Sequence, residues 1–347
     1  MANKEEAPVD KRDEQESDDS EIQYIKISDA ATTTITATGR INFGVTNVQN
    51  RMSIFVDDDG NKCVKISNCK FFDDDYEQIY SFLTKKRCDN MYLYKCTITE
   101  NVRPLVKLLE EKTITTLSIV ESDFYATNCI DNFAQLLNSD NKIENLELII
   151  EGKKNIILNY IFNIIAENTT ITNVNLRIDE KFARESPFID CSSIKNMFEN
   201  NKTLKKFKIK TRINCFSYTC DNILSAILKY LRHNKSITEM IIKTQYPFAI
   251  TDYYVRIDSN LLLETLKENT CLQKLKLNII PIKISKVINE IIEGLQENYT
   301  LKEIIIIFNT SPTTWSRSNA KYREKLKIIE EMTERNRISL IKSAAKR

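Results

Sequence analysis

The chain has 347 residues, 42% of them hydrophobic, and a formal net charge of +2. That is ample apolar material for a core, and a near-neutral balance exerts no global pull towards nucleic acid or a membrane surface. Only five glycines and six prolines are present, which argues against Gly-rich phosphate loops and tightly turned barrels.

Residues 1–22 are rich in Asp, Glu, Lys and Ser and poor in apolar residues. They cannot bury enough surface to offset the entropy of ordering, so a disordered charged tail is expected. Met1–Glu21 has no apolar h-region, and no run approaches the ~18 apolar residues of a membrane span. Residues 23–70 turn to Thr, Ile and Val with alternation and are expected to form a β-rich N-terminal cap. Within it, Ser53–Val56, Asp57–Asn61 and Lys62–Ile66 spell strand, turn and return strand. The Asp run is not a calcium loop, because an EF-hand starting at Asp57 needs a Glu at its twelfth position, where Asn68 stands.

From Phe71 onward helical and strand patterns alternate. Tyr76, Ile79, Tyr80 and Leu83 have helical spacing and precede a degenerate phrase at Cys88-Asp-Asn-Met91-Tyr-Leu93. Leu105, Leu108 and Leu109 precede Ile114-Thr-Thr-Leu117-Ser-Ile119, and the same order recurs to the end of the array. The fullest copies are Asn201-Lys-Thr-Leu204-Lys-Lys-Phe207-Lys-Ile209, Asn269-Thr-Cys-Leu272-Gln-Lys-Leu275-Lys-Leu277 and Asn298-Tyr-Thr-Leu301-Lys-Glu-Ile304-Ile-Ile306. Marking the first apolar residue of each phrase gives 88, 114, 143, 171, 204, 237, 272 and 301, a period averaging about 30 residues. Each unit reads as helix, Asn-containing turn and short strand. The Asn is expected to end the helix by adopting the left-handed conformation it tolerates.

This repetition, over about Phe71 to Phe308, resembles the leucine-rich-repeat superfamily, in the branch of ribonuclease inhibitor and tropomodulin with long helical units. The Asn or Cys that usually follows the strand there is not regular here, where Glu151, Asp179, Thr211 and Thr244 stand. The resemblance implies an α/β solenoid, with a curved parallel sheet on the concave side and helices on the convex side. About eight units would fill residues 71–308. It implies a binding scaffold and no chemistry. By fold-level analogy it also raises a cytoskeletal (actin-type) or small-GTPase regulator as an alternative.

Two connections, Thr211–Asp221 and Thr244–Ser259, are longer than the rest and carry Phe216, Tyr218, Tyr246, Phe248, Tyr253 and Tyr254. Insertions in repeat arrays concentrate on one rim, so Tyr246, Phe248, Tyr253 and Tyr254 are candidate partner-binding residues, with mere padding of loop length as the competing account. Beyond the array, residues 309–347 read as a capping loop, Asn309–Ser318 with Trp315, and a terminal helix from Tyr322 to about Ser343.

No catalytic, cofactor or metal motif is present, so a non-enzyme without cofactors is expected. His233 is the single histidine and stands at a helix end without a nucleophile motif. The nine cysteines match no metal-knuckle spacing and suggest free thiols in a reducing, cytoplasmic compartment. The sequons at Asn168, Asn201, Asn234, Asn298 and Asn309 are mostly the repeat's own polar step.

If the apolar strand positions point inward, the intervening residues face out. That face is polar at its start, basic through Lys206, Lys208, Lys210, Lys243, Lys274 and Lys276, relieved only by Glu239, and apolar at its end with Ile305 and Ile307. These seven charged residues are the candidate binding surface for a protein partner with an acidic surface, the chain acting as a monomeric interaction scaffold. A merely solvated Lys-rich face competes with that reading. Nucleic-acid binding along the lysine stripe ranks lower, since interleaved aromatics and Arg forks are missing.

Overall fold

In the computed structural model the described residues are 51–56, 62–67, 88–98, 103–111, 114–120, 123–124, 134–137, 141–151, 155–180, 191–213, 219–245, 259–279, 284–308 and 312–344. The expected tail, the Asp57–Asn61 turn, the Tyr76–Leu83 helix and the rim loops with Phe216, Tyr218, Tyr246, Phe248, Tyr253 and Tyr254 lie outside them.

The first described elements are β1 (Arg51–Val56) and β2 (Lys62–Ser67), paired antiparallel with Arg51 opposite Ser67. There follow β3 (Asn90–Tyr94), β4 (Thr97–Ile98), α1 (Arg103–Glu111), β5 (Thr116–Val120) and β6 (Asp123–Phe124). From there strand and helix alternate strictly after a helical turn at 134–137. The order is β7 (Asn145–Glu151), α2 (Asn155–Glu167), β8 (Asn173–Glu180), α3 (Cys191–Asn200), β9 (Lys206–Ile213) and α4 (Thr219–Leu231). It continues as β10 (Glu239–Gln245), α5 (Ser259–Glu268), β11 (Lys274–Ile279), α6 (Ile284–Glu297), β12 (Glu303–Phe308) and α7 (Pro312–Ala344).

Among the described residues ten strands form one sheet in the order β1-β2-β3-β5-β7-β8-β9-β10-β11-β12, and all but β1 run parallel. The short β4 and β6 pair separately. Parallel neighbours require crossovers, and the helices supply them along one side. Packed helices need 8–10 Å each, whereas strands need about 4.8 Å, so the sheet curves with its open face inward. This is a leucine-rich-repeat-like α/β solenoid.

The register places equivalent apolar residues in rows. Met91, Leu117, Leu146, Val174, Phe207, Met240, Leu275 and Ile304 are successive partners, as are Leu93, Ile119, Leu148, Leu176, Ile209, Ile242, Leu277 and Ile306. Together with the buried marker residues from Cys88 to Leu301 these rows make the strand half of one continuous core. Each fully buried Leu or Ile there contributes about 2 kcal/mol over exposure. The helices meet the rows with Phe162, Phe198, Ile227, Leu266 and Ile291, all buried. At Gly294 the helices approach so closely that an added Cβ would lie 2.7 Å from the Leu266 Cβ.

The repeated Asn does not work as the sequence suggests. Among the described residues only Lys95 combines a side chain with positive φ, at 50°. Asn168, Asn201, Asn234, Asn269 and Asn298 are instead buried and bonded at both ends of the amide. In Asn201 the Oδ1 accepts from the backbone N–H of Thr203 at 3.0 Å and Leu204 at 2.7 Å. Its Nδ2 donates to the carbonyls of Ile165 at 2.6 Å and Asn168 at 2.9 Å in the preceding unit. Asn269 and Asn298 repeat the pattern against Leu231 and Asn234, and against Leu266 and Asn269. Each Asn thus adds a donor to carbonyls at the end of the previous helix, where water cannot reach them. The hydroxyls of Thr203 and Ser236 bond the carbonyls of Asn168 and Asn201, which accounts for the sequon spelling. Asn309 lies outside the described residues.

The C-terminal element also differs from expectation. The helix begins at Pro312, so residues 312–318 are helical rather than loop, and Trp315 belongs to α7. Among the described side chains, two that close the last unit lie further along. Asn336, fully buried, donates to the carbonyls of Asn298 at 3.1 Å and Leu301 at 2.8 Å. Arg335 donates to those of Leu295 at 2.9 Å and Asn298 at 3.0 Å and lies over the Tyr299 ring at 4.6 Å. These two residues do for the final repeat what the next repeat's Asn does elsewhere.

Candidate functional site: the open face of the sheet

Three outward rows cross the sheet between the core rows. The first runs Thr116, Asn145, Asn173, Lys206, Glu239, Lys274, Glu303. The second runs Ser118, Glu147, Asn175, Lys208, Ile241, Lys276, Ile305, and the third Val120, Ile149, Arg177, Lys210, Lys243, Asn278, Ile307. All seven candidate residues (Lys206, Lys208, Lys210, Glu239, Lys243, Lys274 and Lys276) therefore share one face of three adjacent strands, β9 to β11. The alternation of inward and outward side chains along each strand puts them there.

Over β5 to β8 the polar groups of this face are matched to one another. Asn145 donates to Thr116 at 3.2 Å, and Asn173 donates to Asn145 at 2.5 Å. In the second row Ser118 donates to one oxygen of Glu147 and Asn175 to the other, both at 2.6 Å. Amides and hydroxyls can donate and accept, so identical neighbours one strand apart can satisfy each other.

Over β9 to β12 the matching is partial. Lys206 is 3.3 Å from Glu239, and Lys274 is 3.1 Å from Glu303. Glu303 thus relieves the basic stretch alongside Glu239, a correction to the expectation that Glu239 does so alone. Lys208, Lys243 and Lys276 have no ion pair within 4 Å among the described residues. They surround Ile241, which their neighbours cover to 8% exposure. Burial, then the ammonium of Lys243 and those of Lys206 and Lys210, hold the Lys208 pKa below the usual lysine value of 10.5, with Glu147 acting in the opposite sense. Lysines offer donors only, so stacking them on adjacent strands leaves the charge unanswered from within.

On the helical side several charges are paired. Arg232 bonds Glu264 and Glu268, each at 2.6 Å, and Lys267 lies 2.9 Å from Glu293 and 3.0 Å from Glu297. Those partners raise the Lys267 pKa. His233 is exposed there, 3.8 Å from Glu268. The candidate rim residues Tyr246, Phe248, Tyr253 and Tyr254 lie outside the described residues. At the other end of the face, Tyr94 has Lys65 and Lys95 over its ring at 4.6 and 5.0 Å. No described helix is long and apolar enough to cross a membrane.

No protein-family model and no curated protein matches the chain. Solved structures do. One is actin-binding site 2 of leiomodin-1, at 18% identity and a TM-score of 0.35, covering 53% of this chain and 92% of that one. Another is the C-terminal domain of Caenorhabditis elegans tropomodulin, at 13% identity and a TM-score of 0.35, covering 56% of this chain and all of that one. The likeness is coarse. The leucine-rich-repeat-like fold of this chain rests on its own register of nine parallel strands and their crossover helices.

Proposed function

We propose that the chain is a non-catalytic protein-interaction scaffold whose open sheet face receives an acidic surface of a partner protein. The observation that supports this is the group of three lysines, Lys208, Lys243 and Lys276, that have no ion pair among the described residues and stand on the sheet around a covered Ile241. Their mutual repulsion is a standing cost of the unbound state, and a carboxylate-bearing partner removes it on binding. A repeat array presents such a surface already formed, so little ordering entropy opposes association. The scaffold works as a monomer in a reducing intracellular setting, which suits the free thiols of Cys191 and Cys271.

The test is affinity capture with the full chain and with a Lys208→Glu/Lys243→Glu/Lys276→Glu variant whose circular dichroism matches the parent. Partners captured by the parent are then purified and titrated directly. Direct binding weakened at least tenfold by the triple reversal is expected. Undiminished binding by the variant overturns the assignment of this face. Retention on RNA that persists at high salt and vanishes in the variant overturns the choice of a protein partner.

A further inference from the structure

The second outward row carries more than charge. From β9 to β12 it reads Lys208, Ile241, Lys276, Ile305, cation alternating with aliphatic, one residue per strand. Its flanking lysines Lys206 and Lys274 are occupied by Glu239 and Glu303, so the unpaired cations of the row stand two strands apart. On the other side of Lys208 the row continues with Asn175 and then Glu147, whose two oxygens are held by Ser118 and Asn175.

Resting on the function proposed above, we infer that this row seats one amphipathic α-helix of the acidic partner, lying across the strands. The spacing selects a helix. Strands stand about 4.8 Å apart, so the four side chains start at roughly 0, 4.8, 9.6 and 14.4 Å along the row. One stripe of a helix, rising about 1.5 Å per residue, presents positions i, i+3, i+7 and i+10 at roughly 0, 4.5, 10.5 and 15 Å. An extended peptide repeats on one face every ~6.7 Å and falls out of step with the row after a single residue. The helix that fits carries carboxylates at i and i+7, opposite Lys208 and Lys276, and aliphatic residues at i+3 and i+10, the first over Ile241 and the side chains that cover it, the second opposite Ile305. Lys243, beside Ile241 in the next row, adds a cation to the flank of the same stripe.

Glu147 fixes the frame of this helix. It lies two strands beyond Lys208, where the partner's i−7 side chain falls. A carboxylate at i−7 meets a carboxylate there, whereas Lys or Arg meets an acceptor already oriented by two hydrogen bonds. The partner stripe is therefore basic, acidic, aliphatic, acidic, aliphatic at i−7, i, i+3, i+7 and i+10, which defines it against helices that are simply acidic.

Three labelled Ala/Gln-based peptides of about five helical turns test this by fluorescence anisotropy against the full chain. The first carries the stripe, the second has the same composition with its carboxylates moved to the opposite face, and the third carries the stripe with a central proline. The first is expected to bind at least tenfold more tightly than the other two and to gain helical circular dichroism on binding. Lys208→Glu/Lys276→Glu is expected to abolish that preference and to accept instead a peptide with Lys at i and i+7. Equal affinity for all three peptides, lost in the lysine variant, overturns the helix seat and leaves the acidic-partner reading standing. Equal affinity that survives the lysine variant overturns both. Absence of binding by the first peptide overturns the helix seat, and the capture experiment then judges the acidic-partner reading by itself.

Discussion

Two polar ladders cross the repeats, and they treat their hydrogen-bonding capacity in opposite ways. The asparagine ladder at the helix-to-strand corner spends it inside the molecule, each amide binding two N–H groups of its own unit and carbonyls of the one before. The lysine rows on the open face have Glu239 and Glu303 as partners on one side only, and Lys208, Lys243 and Lys276 have none among the described residues. Both are periodic and polar, and neighbours in both lie one repeat apart. The amide carries donor and acceptor and can close a chain of bonds, whereas ammonium groups can only repel their own kind. A repeated residue is therefore a structural device when it is self-complementary and a waiting surface when it is not.

Breaking the first ladder has the largest effect. Asn201→Ala leaves the N–H groups of Thr203 and Leu204 without their side-chain acceptor and takes one donor each from the Ile165 and Asn168 carbonyls, at a cost on the order of 3 kcal/mol, read as a fall in the denaturation midpoint. Asn201→Asp keeps the acceptor but turns an oxygen towards the Ile165 and Asn168 carbonyls, so it is expected to rescue little. Gly294→Ala follows, at about 2 kcal/mol, because the Leu266 Cβ is fixed to a helix and cannot yield alone. Asn336→Ala comes next, costing about 1–2 kcal/mol, since Arg335 still bonds the Asn298 carbonyl while that of Leu301 loses its donor.

The second ladder reverses the sign. Lys208→Gln is expected to leave stability at pH 7 unchanged or raised by about 0.5 kcal/mol at most, while weakening partner binding. Because the Lys208 pKa is lowered on folding, the native state binds fewer protons between that lowered value and the ordinary 10.5. Stability from this group therefore rises as pH climbs through that window, and the penalty is present in full below it. The smallest expected effect is a slight rise in melting temperature of the parent, absent in Lys208→Gln, between low and moderate salt as screening relieves the cluster.

The alternation of Leu275 and Leu277 with Lys274 and Lys276 made the sheet and its face legible, because a strand's period of two admits one assignment once one side must be buried. The Glu303 pairing was legible too. Lys274 and Glu303 stand at the same offset from Asn269 and Asn298, so register alone makes them neighbours. The role of the Asn was not, since an Asn at a helix end reads equally as a left-handed terminus and as a buried amide. Only the carbonyls of the preceding unit, some 30 residues away in sequence, decide between them. The early start of α7 had a local sign in Pro312, a proline suited to the first helical position.

Arg335 and Asn336 close the array by gripping main-chain oxygens of Leu295, Asn298 and Leu301. Main-chain oxygens are the same in every unit, whatever letters the unit spells. The terminus is thus indifferent to how many modules stand before it. A duplicated unit spliced in ahead of residue 298 meets the same welcome from both sides, so the chain can lengthen by gene duplication, and widen what it holds, without inventing a new ending.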